Sequence, residues 1–87
     1  MKEREVVIGH RLGLHARVAA KLVKLSARFK STIVLVRADD ANIVEANARS
    51  ILSILLLAAG YGSKLQVRVE GADEEEALEK VCEYLRG

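Results

Sequence analysis

Proline and tryptophan are absent from this 87-residue chain, which carries one cysteine, one phenylalanine and two tyrosines. With aromatics at 3%, it cannot easily build the stacking platform on which single-stranded nucleic acids are held. A net charge of +2, from 14 basic and 12 acidic side chains, is too small for a polyanion binder held by counterion release. The lone Cys82 allows no internal disulfide. The most apolar stretch, Ile51 to Ala59 interrupted by Ser53, falls far short of the ~20 residues of a membrane span. Met1-Lys2-Glu3-Arg4-Glu5 runs into short apolar alternation without a signal-peptide core, so a cytoplasmic location with no membrane insertion is expected. What is present, 51% hydrophobic and 30% charged residues, suits one small domain over residues 1–87 and excludes a two-domain enzyme with an interdomain cleft.

Without proline, glycines and polar clusters punctuate the chain. Arg4 to Ile8 reads as a short strand closed by Gly9, His10 and Arg11. From Ala16 onward Val18, Leu22, Leu25 and Phe29 recur at helical spacing, with Arg17, Lys21, Lys24, Arg28 and Lys30 on the wet side. Thr32 to Val36 is β-branched and leads through Ala38-Asp39-Asp40-Ala41-Asn42 to a return strand, Ile43 to Asn47. Ile51 to Leu57 is predicted as a short helix with Ser50 as N-cap and Gly60 as terminator. Lys64 to Glu70 alternates cleanly, and Asp73 opens a last helix as a cap with a Glu three positions on. The order is βαββαβα. Half-buried strands and one-sided helices are both satisfied when the helices stack on one face of a four-stranded antiparallel sheet, an α+β open-faced two-layer sandwich. The simplest strand order puts the last strand between the first and second; a ferredoxin-like order uses nearly the same string of elements.

The residues richest in chemistry are Gly13-Leu14-His15-Ala16-Arg17, a histidine just before a helix and an arginine in its first turn. A helix start exposes unpaired N–H groups and the positive end of the dipole. A phosphoryl group on His15 would therefore meet the backbone of Ala16, Arg17 and Val18 and the Arg17 guanidinium. A neutral imidazole nitrogen is the form that can attack phosphorus. The plain alternative makes His15 a polar residue at a helix start and Arg17 a solvated base, and on the residues alone it is favoured. No neighbouring Asp, Glu, Ser or Cys completes a hydrolytic triad, and His10 and His15 lack a third metal ligand nearby. Neither a metal nor a cofactor is expected, and His10 reads as a surface residue.

Three motifs in order carry a family resemblance: Gly13 to Arg17, Arg49-Ser50-Ile51-Leu52, and Gly71 to Leu78. The chain resembles HPr, the histidine-containing phosphocarriers of the phosphoenolpyruvate-dependent sugar phosphotransferase system, nearly end to end. The resemblance implies a phosphoryl carrier, not an enzyme in itself. In it, His15 accepts the group on Nδ1 from Enzyme I and passes it to an EIIA domain, with Arg17 on the phosphoryl oxygens. It selects the first of the two strand orders and implies a monomer. Ser50, by itself a plain helix cap, matches the serine that HPr kinase/phosphorylase modifies in many bacteria. Phosphate there would block docking and create a site for a transcriptional regulator. Two departures, Val18 where the family usually has proline and a longer hairpin from Arg37 to Asn42, point to an alternative: a regulatory paralogue, serine-phosphorylated or in a nitrogen-type phosphorelay, outside sugar transport. The second helix is apolar nearly all round. Leu52 and Leu56 are therefore expected to form a patch beside His15, rimmed by Arg17, Lys21, Lys24 and Arg49 and suited to an acidic partner with an apolar centre.

Overall fold

A computed structural model of the chain describes residues 1–38 and 42–87. Its elements are β1 (Lys2–Val7), α1 (Ala16–Ser26), β2 (Thr32–Ala38), β3 (Ile43–Asn47), α2 (Ile51–Leu56), β4 (Lys64–Glu70) and α3 (Glu74–Arg86). The strands form one antiparallel sheet in the order β1-β4-β2-β3, the first of the two expected topologies. Leu65, Val67 and Val69 of β4 share one face of the sheet with Val6 of β1 and Ile33 and Leu35 of β2, which makes the middle of that face apolar. That face is closed by Val18, Ala19 and Leu22 of α1, Ile54 of α2, and Ala77, Leu78, Val81, Cys82 and Leu85 of α3. Burial pushes the Cys82 thiol pKa above its ordinary value. No helix among the described residues is long and apolar enough to cross a membrane.

Several local expectations are corrected by tertiary contacts. β1 begins at Lys2, not Arg4, because Lys2 and Arg4 stand on the helix side of the sheet and reach Glu75 and Glu79 of α3 at 3.5 and 3.3 Å. α1 stops at Ser26, so Phe29 enters the core from the turn beyond it. The β2–β3 pairing runs from Val34↔Asn47 to Ala38↔Ile43, while residues 39–41, the centre of the expected long hairpin, lie outside the described residues. Ser50 caps α2 as expected, its Oγ accepting from the Ser53 N–H at 3.2 Å. Gly60 does not end that helix. The last turn tightens through Ala58 N–H to the Leu55 carbonyl at 3.1 Å, and Ala58 itself takes the left-handed conformation at φ 51°.

Asp73 occupies the N-cap position of α3, yet its side chain does not cap the helix. The carboxylate turns to the segment before β2 instead. It accepts from the Ser31 hydroxyl at 2.5 Å and from the N–H groups of Lys30 and Ser31 at 2.8 and 3.0 Å. The Ser31 hydroxyl, followed by the Lys30 N–H, holds the Asp73 carboxyl below its ordinary pKa of 3.8. A carboxyl with a lowered folded-state pKa stabilises the fold above its unfolded value, and that contribution fades as pH falls through the folded value. Replacing Asp73 by Asn should therefore flatten the fall in melting temperature below pH 3.8 relative to the parent protein. Thermal melts from neutral to acid pH read this directly, and equal slopes would remove Asp73 from the acid response.

Candidate functional site

The loop between β1 and α1 is pinned at both ends. After β1, Ile8 donates to the Ser63 carbonyl and accepts from the Gly62 N–H, each at 2.9 Å. Before α1, the Gly13 N–H returns to the His10 carbonyl at 2.9 Å, and the Leu14 N–H reaches the Ala59 carbonyl at 3.0 Å. Gly13 is required here. Its φ is +72°, and a Cβ would stand 2.6 Å from the Ala59 oxygen and 2.7 Å from the Gly60 Cα. The start of α1 is thereby pressed against the chain that leaves α2.

His15 is the N-cap residue of α1, with extended backbone (φ −79°, ψ 177°) and a half-buried side chain. Its carbonyl accepts the Ala19 N–H at 2.8 Å, the first bond of the helix. Among the described residues its imidazole makes no capping bond, and the first turn holds no acidic residue. The N–H groups of Ala16, Arg17 and Val18 precede that first bond, so the helix supplies them no acceptor. Arg17 is exposed and makes no hydrogen bond or ion pair among the described residues. An imidazole, three backbone donors and a guanidinium thus share one helix start, which equips it to take up an anionic group beside a nitrogen nucleophile.

Lys21 and Lys24 follow Arg17 at helical spacing and are exposed, making a basic stripe along α1. On α2, Leu52 and Leu56 are each 67% exposed and four residues apart, flanked by partly exposed Ile51 and Leu55. Leu12, in the loop before His15, is 79% exposed. Arg49 has a task that the sequence does not advertise: its Nη2 donates to the carbonyls of Ser26, the last residue of α1, and of Phe29 and Ser31 beyond it. His10, expected on the surface, is partly buried. Its Nε2 lies 2.7 Å from the Tyr84 carbonyl and its ring 5.0 Å from the Tyr84 ring. The sequence does not mark Tyr84, an aromatic near the end of α3 that the structure leaves half-buried.

The family model described as PTS HPr component phosphorylation site matches residues 2–86. The chain belongs to the HPr family. It is 40% identical over 83 residues to phosphocarrier protein HPr of Xylella fastidiosa strain 9a5c, covering 95% of this chain and 89% of that one. Phosphocarrier protein NPr of Shewanella violacea is 38% identical over 80 residues, covering 92% and 84%. The crystal structure of an HPr from Bacillus anthracis superposes with a TM-score of 0.84 at 38% identity, over 97% of this chain and 95% of that one. The chain is accordingly an HPr phosphocarrier of the phosphotransferase system, and its four-stranded, three-helix sandwich is the HPr fold. Because the HPr loop around His15 has no room beside Gly13, Gly13→Ala should cost roughly 1–3 kcal/mol of stability. Chemical denaturation measures the loss, and an unchanged unfolding midpoint would show that the loop can yield.

Proposed function

We propose that His15 is the residue of this HPr that carries the phosphoryl group, taking it from Enzyme I on Nδ1 and passing it to an EIIA domain. One observation carries the reading: the His15 side chain leaves the first turn of α1 uncapped, and no acidic side chain stands there. In the transfer a bond forms from the neutral ring nitrogen to phosphorus. The bond from phosphorus to the donor breaks, and the donor keeps that electron pair. No proton has to leave the ring. The phosphoryl oxygens then take hydrogen bonds from the N–H groups of Ala16, Arg17 and Val18 and from the Arg17 guanidinium. Donors already in place cost no reorganisation as the group arrives. The protein is a carrier that is regenerated by its partners; it does not turn over a substrate of its own.

Docking is served by the exposed leucines Leu52 and Leu56 with Lys21 and Lys24 beside them, and by Arg49 where its remaining donors allow. Such a surface suits partners that are acidic around an apolar centre. Ser50 lies at the start of α2, next to this patch. A phosphate added there by HPr kinase/phosphorylase would set negative charge on the docking surface and offer a transcriptional regulator something new to bind. The carrier acts as a cytoplasmic monomer of one domain. A second reading, service in a regulatory phosphorelay outside sugar uptake, is supported by the likeness to a relative named NPr.

Intact-mass analysis with phosphoenolpyruvate and Enzyme I should show one acid-labile phosphate, absent from His15→Ala. Arg17→Ala should take it up about tenfold more slowly, the order of loss for a charged donor at a partly exposed site. With ATP and an HPr kinase, an acid-stable phosphate should appear and vanish in Ser50→Ala. Retention of the acid-labile adduct in His15→Ala would move the carrier role to another residue.

A further inference from the structure

One residue of α3 reaches both flanks of His15. On the helix side, the Tyr84 hydroxyl makes a long hydrogen bond, 3.3 Å, to the Val18 carbonyl. That carbonyl belongs to the same peptide unit as the Ala19 N–H, which donates to the His15 carbonyl at 2.8 Å. Tyr84 therefore holds by one edge the peptide plane whose other edge holds His15. On the loop side, the His10 Nε2 meets the Tyr84 carbonyl at 2.7 Å, and the two rings lie 5.0 Å apart at 48°. A carbonyl can only accept, so Nε2 carries the proton. His10 in turn accepts the Gly13 N–H at 2.9 Å, two residues before His15. The adjoining Gly9 N–H is bound to the Leu85 carbonyl at 2.9 Å, so the first part of the loop rests on the last turn of α3.

We propose that Tyr84 is a positioning residue for phosphoryl transfer, fixing the His15 imidazole against the first-turn N–H groups from the loop side through His10 and from the helix side through Val18. The proposal rests on His15 being the phosphoryl acceptor. Tyr84 touches no reacting atom. Its contribution is geometric, because N–H groups at a helix start stabilise an arriving anion only when the nucleophile presents it at hydrogen-bonding range. Burial raises the phenol pKa above its ordinary value of 10.0, so the hydroxyl keeps its proton at neutral pH and remains a donor. Val18 supplies the other half of the arrangement. Its buried side chain anchors the first turn in the core while its carbonyl stays within reach of the Tyr84 hydroxyl.

The test compares the parent protein with Tyr84→Phe, His10→Ala and His10→Gln as phosphoryl acceptors from phosphoenolpyruvate and Enzyme I, recording kcat and KM for the acceptor and the amide resonances of residues 16–18. Tyr84→Phe keeps the ring and the fold, and His10→Ala cuts the other arm without touching α3. Each should lower kcat about fivefold with KM unchanged, the size of effect expected for one hydrogen bond, and should shift those amide resonances. His10→Gln, whose amide can still donate to the Tyr84 carbonyl, should recover most of the loss. If Tyr84→Phe and His10→Ala keep the parent kcat per folded molecule, whatever their melting temperatures, Tyr84 only fills space and the proposal fails alone. If the parent protein itself takes no phosphate on His15, the acceptor reading fails first and takes this proposal with it.

Discussion

Strand β4 lies between β1 and β2, and its inward residues Leu65, Val67 and Val69 are essentially inaccessible to solvent. Because it is the last strand in the chain yet sits inside the sheet, β1 is joined to β2 and β3 only when it arrives. The apolar face on which the helices rest is complete only then. α1 can bury Val18, Ala19 and Leu22 only against a finished face, and its first turn carries the open N–H groups next to His15. The site is thus a product of long-range closure, not of the short segment that contains His15.

Polar residues finish what the sheet begins. Asp73 and Arg49 approach the chain between α1 and β2 from different elements, one offering a carboxylate to N–H groups and the other a guanidinium to carbonyls. Together they satisfy backbone groups of the segment that follows the helix. Leu14 and Gly13 do the corresponding work at the other end of α1 by leaning on Ala59 and Gly60. α1 is therefore held at both termini by residues remote in sequence, and the open N–H groups beside His15 stand on a helix that cannot easily drift.

Periodicity made the element order and the core legible. In Lys64 to Glu70 and in Ala16 to Ser26, one-sided burial leaves a repeat of two or of about 3.6 residues in the sequence itself. Lys2 and Arg4 hid the start of β1 because their partners are carboxylates on α3, so a polar residue faces the helix layer without an apolar signal. Asp73 reads locally as a cap, and only the fold reveals that Ser31 claims its side chain. The grouping of His15 with Arg17 was legible because neighbours at a helix start share one site by geometry alone. The ties from Tyr84 to Val18 and from His10 to Tyr84 span 66 and 74 residues, separations at which no local pattern marks a contact.

Cys82 turns the seating of α3 into something that can be timed. It is the sole thiol of the chain, fully enclosed and kept protonated by its surroundings. An alkylating reagent can reach it only while α3 stands away from the sheet, so the pace of labelling is a clock for that excursion. The same helix carries Tyr84, and each excursion also breaks the bonds of Gly9 and His10 to Leu85 and Tyr84 in the loop that leads to His15. A carrier waiting between partners would be read by this clock for how long its working end stays assembled.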